Sequence, residues 1–152
     1  MASVDFDLAW SNYLHLAVAL YADSPQPLNL ASKDNPPFGG FYSLQLNGDM
    51  ANVLAVNRGM PLNSLGMAMV AGLRDKTAVH VTIRIHKPDR RLCLYIDNTL
   101  IKQWEDGQNT LGSGTCLRFV NQGLNRLEIS KLVVSEWDGQ TNTPIKTRPG
   151  SR

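Results

Sequence analysis

The sequence is poor in the residues and motifs that most catalytic and metal-binding sites need. It has two cysteines and three histidines in 152 residues, and neither type occurs at the spacing of a metal or redox site. It contains no glycine-rich dinucleotide or phosphate loop and no calcium-binding loop. The histidines, His15, His80 and His86, lie in separate segments without a nucleophile motif beside them. We therefore expect no cofactor and no resident metal.

Charge and hydrophobicity give no sign of nucleic acid or membrane as a partner. The net charge is +2 at pH 7, and the lysines and arginines are spread along the chain instead of forming a basic stripe. The longest apolar run, Leu16–Ala22, is far shorter than the roughly 20 residues of a membrane-spanning helix. We expect neither nucleic-acid binding nor membrane insertion.

Apolar and polar residues alternate along much of the chain, as is typical of strands with one buried face. The clearest stretch is 78–105, where three alternating segments are separated by turns at 86–90 and 97–98. It predicts a meander of three antiparallel strands. Similar alternation predicts further strands at 4–10, 41–46, 52–57, 66–70, 115–120 and 127–137.

Two segments are interpreted from the context of the whole chain. Segment 14–21 fits either a buried strand or an apolar helix stripe, and the surrounding strands favour a strand. The alternation in 127–137 shifts at Leu132–Val134, which predicts a bulge. Many short strands, frequent turns and few convincing helices predict an all-β sandwich of two antiparallel sheets.

Proline and glycine mark the loops and the end of the domain. Segment 23–40 holds four of the eight prolines and is predicted to be a long loop, either a solvated connection or a functional one. Its candidate ligand contacts are Lys33, Asp34 and Asn35. We expect one domain over 1–139 and a polar tail over 140–152, excised from a longer protein; the alternative is a complete small protein with a frayed end.

The two cysteines, Cys93 and Cys116, fall on separate predicted strands, opposite the apolar positions of those strands. If the two strands were neighbours, a disulfide would be geometrically feasible. The other interpretation is a pair of free thiols that pack as small apolar side chains. Both interpretations stay open at this point.

Five segments resemble concanavalin A-like, laminin G-like jelly-roll domains. Their central meander is similar to VHVTI at 79–83, LCLYIDN at 92–98 and IKQW at 101–104. The closing strands GTCLRF at 114–119 and LEISKLVVSEWDG at 127–139 resemble such domains in envelope-associated proteins of planctomycete-type bacteria and, more distantly, keto-disaccharide hydrolase-related domains. The resemblance implies an antiparallel two-sheet jelly-roll sandwich whose first and last strands pair, with ligands on the concave sheet or its rim.

Glycoside-cleaving members of this fold carry paired carboxylates, in the order Glu-x-Asp-x-Glu, on a concave strand. The chain has no such triplet. Its nearest equivalents are Asp5 and Asp7, which we interpret as solvated strand-face carboxylates, and Glu105 and Asp106, which point to opposite faces if both lie in a strand. We therefore expect that the protein is not an enzyme. A calcium ion held at the rim by Asp97 or Asp106 stays open.

Sugar recognition needs aromatic faces and planar hydrogen-bonding groups in a shallow groove. The residues that best fit these roles are Arg84, Tyr95, Trp104 and Arg118, each of which could instead be a packing aromatic or a solvated cation. Trp10 and Trp137 are expected to pack on each other or in the core.

We therefore expect a non-catalytic carbohydrate-binding or adhesion module of a larger extracytoplasmic bacterial protein, secreted or in the cell envelope. A glycan would be its ligand, and flanking domains or a second copy of the chain would be further partners. The main alternative is a structural spacer that joins domains or self-associates through a sheet edge. A glycoside-acting enzyme is a second, weaker alternative.

Overall fold

The computed structural model describes residues 2–22, 40–56, 63–107 and 114–137. Within them the chain forms ten strands and one short 3-10 turn, Leu73–Asp75. The strands are β1 (Ala2–Trp10), β2 (His15–Ala22), β3 (Phe41–Asn47), β4 (Met50–Val56), β5 (Asn63–Met69), β6 (Ala78–His86), β7 (Arg91–Ile96), β8 (Thr99–Glu105), β9 (Cys116–Asn121) and β10 (Leu127–Glu136).

The strands form two five-stranded antiparallel sheets that pack face to face. Sheet A has the order β10-β1-β6-β7-β8, and sheet B has the order β5-β4-β3-β2-β9. The predicted meander is confirmed as β6, β7 and β8, and the ambiguous second segment is a strand. The first and last strands pair along their length, as the resemblance implied. The prediction of an all-β jelly-roll sandwich is confirmed.

The core lies between the sheets and is built from the alternating apolar positions. In β1 the side chains of Phe6 and Leu8 are buried, and they face inward with Val81 and Ile83 of the neighbouring β6. Sheet B contributes Val18 and its neighbours to the same cluster. Because each residue that alternates with these points outward, each sheet also has an outer face.

Two local backbone features follow from the sequence. Asp97 and Asn98 join β7 to β8 with φ angles of 48° and 66°, the left-handed pair that a two-residue hairpin turn requires. The predicted bulge in the last strand is confirmed: the β1–β10 register shifts between Ser130 and Val133, and Lys131 has a φ of 51°.

The cysteines and the terminal tryptophans are widely separated. Cys93 lies on sheet A and Cys116 on sheet B, and both thiols are free. The disulfide alternative is therefore wrong, because the two strands belong to different sheets and present these residues on opposite outer faces. Trp10 belongs to the main core, whereas Trp137 packs on the outer face of sheet A, so the two indoles do not pack on each other.

Several predictions fall on residues that the structure does not describe. These are the loop at 23–39 with its candidate contacts Lys33, Asp34 and Asn35, and the tail at 140–152. Among the described residues there is no helix with the length and apolarity needed to cross a bilayer.

Candidate ligand-binding face

The four residues predicted to bind a ligand lie in three different parts of the sandwich: two outer faces and the interior. Arg84 and Tyr95 are neighbours on the outer face of sheet A, but their exposed fractions are only 4% and 5%. Trp104 is inside the sandwich, with 2% exposed, and its indole Nε1 donates to the carbonyl oxygen of Gly66 at 2.8 Å. Arg118 lies on the outer face of sheet B. The four therefore cannot form one binding surface, and a ligand contact by any of them stays a prediction.

At one end of sheet A the outer face is covered by Trp137. The Arg84 guanidinium carbon lies 4.9 Å from the centroid of the Tyr95 ring and 5.9 Å from that of the Trp137 ring. The Arg91 guanidinium carbon lies 5.6 Å from the Trp137 ring, and the His86 ring meets that indole edge-on. This layer buries the thiol of Cys93 and raises its pKa through loss of hydration.

In the middle of the same face, Asp5 is held by hydroxyl groups. One of its carboxylate oxygens accepts from Thr82 Oγ1 at 2.6 Å, and the other accepts from Ser3 Oγ at 2.9 Å. Thr82 lies on the neighbouring β6 and Ser3 on β1 itself, so both oxygens of this carboxylate are hydrogen-bonded. Asp5 was interpreted as a solvated carboxylate on a strand face. It does lie on that face, but hydroxyl groups of the protein bind it in addition to any solvent.

Asp7 joins three strands of sheet A through its two oxygens. Oδ1 lies 2.8 Å from Nδ1 of His80 on β6, and Oδ2 lies 2.8 Å from Nζ of Lys131 on β10. The hydrogen bond from Lys131, followed by the one from His80, holds the pKa of Asp7 below its usual value. Since these polar groups already bond to one another, the middle of this face, around Asp5 and Asp7, offers a ligand few unoccupied donors and acceptors.

The two aspartates suggested for a rim calcium have protein partners as well. Asp97 accepts from the backbone N–H of His80 at 2.8 Å and pairs with Lys76 Nζ at 2.7 Å. Asp106 is 1% exposed and accepts from the Tyr42 hydroxyl at 2.9 Å. In the described part of the chain, no group of three or more histidine, cysteine or acidic side chains could hold a metal ion.

The outer face of sheet B has a different chemistry. Because paired residues in adjacent strands share a face, the strand registers place its side chains in rows across the sheet: three rows lie side by side, and beyond them Phe41 pairs with Val56. The first row is His15, Asn47, Met50 and Met69; the second is Val120, Ala17, Gln45, Asn52 and Met67; the third is Arg118, Ala19, Ser43, Leu54 and Ser64. These rows contain no carboxylate.

Small side chains form the floor of this face. Ala17 and Ala19 on β2 and Ser43 on β3 are each at most 6% exposed. The longer side chains of Gln45 and Arg118 stand on either side of them. A strip of short side chains therefore runs along β2 between longer neighbours, and the sequence-predicted Arg118 is one of those neighbours.

Amide side chains on this face retain free hydrogen-bonding groups. The oxygen of Asn52 accepts from Ser64 Oγ at 2.9 Å, and the oxygen of Asn47 accepts from the Tyr13 hydroxyl at 2.6 Å. The side chain of Gln45, between them, bonds to none of the described residues, and neither asparagine NH₂ group does so. Uncharged planar groups with unused donors and acceptors are what sugar hydroxyls require.

Apolar surface borders the amides. Met67 and Met69 on the edge strand β5 are 60% and 64% exposed, and Tyr13, beside Asn47, is 44% exposed. An exposed aromatic ring and flexible thioethers can pack on the C–H surface of a sugar. The face therefore combines uncharged amide groups with an exposed aromatic ring and exposed thioethers, which is a suitable arrangement for a glycan.

Comparison with known proteins addresses the fold. No protein-family model and no curated protein sequence matches this chain. Sheep galectin-11 in complex with glycerol superposes with a TM-score of 0.61 at 5% identity, covering 88% of this chain and 89% of that one. The carbohydrate-binding module CBM66 of Bacillus subtilis superposes with a TM-score of 0.59 at 12% identity, covering 89% and 74%. The chain has the concanavalin A-like jelly-roll fold.

Sequence reasoning missed the amide row of this concanavalin A-like domain. Gln45 and Asn52 were visible as polar positions that alternate with apolar ones in β3 and β4. Nothing in the sequence showed that β3 lies between β4 and β2 with its alanines. The signal that could have identified the face is the pairing of small residues in one strand with amides in the next.

Proposed function

We propose that this domain is a non-catalytic carbohydrate-binding module whose glycan lies across the outer face of sheet B. The observation that carries the proposal is the pair of neighbouring amides Gln45 and Asn52, which lie beside the strip of short side chains on β2 and have unused hydrogen-bonding capacity. One of the similar structures is itself described as a carbohydrate-binding module. Reversible contact with sugar hydroxyls and C–H surfaces would be the mechanism, without bond chemistry.

The absence of catalysis is supported by the state of the carboxylates. Asp5 and Asp7 share a face, but their oxygens bond to hydroxyl, imidazole and ammonium groups. Glu105 is exposed while the adjacent Asp106 is buried, so these two acids do not converge on one point. A glycosidase would need two facing carboxylates about 5–10 Å apart in a cleft.

The setting of the module is also part of the proposal. The resemblance of the strand sequences to envelope-associated bacterial proteins supports an adhesion role in a larger extracytoplasmic protein, as one domain among others. A second candidate function, protein–protein interaction, is favoured by one observation. The edge strand β10 exposes the apolar side chains of Leu132 and Val134 by 46% and 59%, and apolar edge strands can pair with other chains.

A glycan array probed with the purified domain, followed by calorimetric titration of the strongest hit, tests the proposed function. Gln45 is half-buried, and Gln45→Ala should weaken binding by roughly tenfold, as expected for the loss of hydrogen bonds from one amide to the ligand. Gln103→Ala is the matched control, because Gln103 is an exposed glutamine on sheet A and its loss should leave the affinity unchanged.

Two results would contradict the proposal. Absence of any array signal above background would remove the glycan from consideration and favour the interaction module. A loss of affinity in the Gln103→Ala variant, with the affinity of Gln45→Ala unchanged, would show that the ligand binds sheet A. The surface around Arg84 and Tyr95 would then be the better candidate site.

A further inference from the structure

The outer face of sheet A contains a buried positive charge that has no ion-pair partner in the part of the chain that the structure describes. The side chain of Arg84 is 4% exposed, and its Nε and Nη1 atoms are buried without any hydrogen-bond partner. Nor does Arg84 take part in an ion pair among the described residues. Buried polar groups in folded proteins are nearly always satisfied, and an uncompensated buried charge is costly. A guanidinium kept in this state indicates an acceptor that comes from outside the described residues.

The surroundings of Arg84 define the chemistry of that acceptor. Tyr95 and Trp137 hold the guanidinium between their rings, and Arg91 adds a second guanidinium beside the indole. Asp89 lies 2.7 Å from Nδ1 of His86 and 4.0 Å from Nη2 of Arg91, so its carboxylate compensates those two groups and forms no ion pair with Arg84. Two guanidinium groups next to aromatic rings suit a small planar oxyanion, which can accept several N–H groups at once.

We propose that Arg84 and Arg91, covered by Trp137, form a binding site for a carboxylate group, such as that of an acidic sugar. The site is separate from the face of sheet B and does not rest on glycan binding there. Entry of the carboxylate requires the indole to turn aside. Trp137 lies one residue beyond the last β1–β10 pair, Ala2 with Glu136, and the movement gives up the contacts of the indole with Arg84 and Arg91.

The indole that covers the site also reports on it. Trp10 and Trp104 are enclosed in the main core, so a ligand that reaches Arg84 should change the emission of Trp137 selectively. The experiment titrates the intact chain with sodium glucuronate, sodium acetate, glucose and sodium chloride at constant ionic strength, and follows tryptophan fluorescence and heat. Glucuronate and acetate separate a sugar acid from a simple carboxylate, whereas glucose and chloride report on the sugar ring and on ionic strength alone.

We expect a saturable change with glucuronate and none with glucose or chloride at the same concentrations. If acetate acts as well as glucuronate, the site takes any carboxylate, and if only glucuronate acts, the sugar ring contributes; both results support the site. Arg84→Met should weaken binding by roughly ten- to a hundredfold through loss of the charged hydrogen bonds, and Arg84→Lys should retain part of it. Arg126→Met, at a guanidinium with 81% exposure, should change nothing.

The proposal is overturned if glucose or chloride produces the same change as glucuronate, or if no carboxylate produces any. It is also overturned if Arg84→Met and Arg84→Lys fold normally and bind glucuronate as the unsubstituted protein does. Because the first comparison uses only the unsubstituted chain, a folding defect in a variant cannot hide the outcome. Binding of neutral glycans to sheet B would be unaffected by Arg84→Met, so failure of this site is distinguishable from failure of the proposed function.

Discussion

Replacement of Trp104 by phenylalanine tests whether this tryptophan acts through the fold or through a ligand. Its indole Nε1 donates to the Gly66 carbonyl at 2.8 Å, so the bond connects β8 of sheet A with β5 of sheet B at one edge of the sandwich. Gly66 has a φ of 117°, a backbone conformation that other residues rarely adopt. Phenylalanine keeps an aromatic ring in the core but cannot make this bond.

The loss of stability can be worked out from two contributions. An intramolecular hydrogen bond of this kind contributes about 1 kcal/mol to stability. The smaller ring also buries roughly 40 Å² less apolar surface, which at about 25 cal/mol per Å² is another ~1 kcal/mol, before any residual cavity is counted. We expect the free energy of unfolding to fall by about 2–3 kcal/mol, and Tm by roughly 5–10 °C in a domain of this size.

Urea unfolding and calorimetry measure the effect, and Leu100→Ala is the control. Leu100 is on the same strand but is 47% exposed, so its truncation should change the unfolding free energy by no more than about 0.5 kcal/mol. At temperatures well below its Tm, Trp104→Phe should bind the array-identified glycan with little change, since the indole does not reach the surface. Unchanged stability together with lost glycan affinity would refute this reasoning and make Trp104 a ligand contact.

Two further predictions concern pH. Lys131 lowers the pKa of Asp7, so the stability that this carboxylate contributes is present above its ordinary pKa of 3.8 and is lost as the pH falls through the folded value. In thermal melts, Lys131→Met should therefore make the Tm depend less steeply on pH in the acid range. A Tm that falls equally steeply in the variant and in the unsubstituted protein would contradict the pairing. Burial, reinforced by the hydrogen bond to Asp106, raises the pKa of Tyr42 above its ordinary value of 10.0, so its contribution is fully present below pH 10.0 and is lost as the pH rises further. Tyr42→Phe should lower Tm at neutral pH and weaken the alkaline loss, and an alkaline limb identical to that of the unsubstituted protein would refute the assignment.

The core positions could be predicted well, whereas the candidate site could be predicted only in part. Alternation identified Val81 and Ile83 as inward-facing because period two is a local property of the strand. The same rule correctly placed Arg84 and Arg118 on outward positions. It could not show that they belong to different sheets, and it gave no sign that Trp137 covers Arg84, because a covering residue comes from a distant part of the chain.

Burial was the second property that local pattern left undetermined. Outward positions are usually exposed, and the prediction treated Tyr95 in that way, yet the layer under Trp137 reduces its exposure to 5%. Trp104, near the end of a strand, was predicted as a ligand contact, but it is enclosed because β5 of the other sheet approaches it.

The sequence by itself determined that the chain forms strands, where most of them begin and end, and which side chains of each strand point inward, because these properties depend on residues two to four positions apart. Only the tertiary structure decided which strands are neighbours, which sheet carries each outward residue, and which outward residues are covered. Those outcomes depend on pairings such as β2 with β9 and β1 with β10, between segments about a hundred residues apart. The loop-closure entropy that such pairings cost is offset by burial of the whole core and not by any local motif.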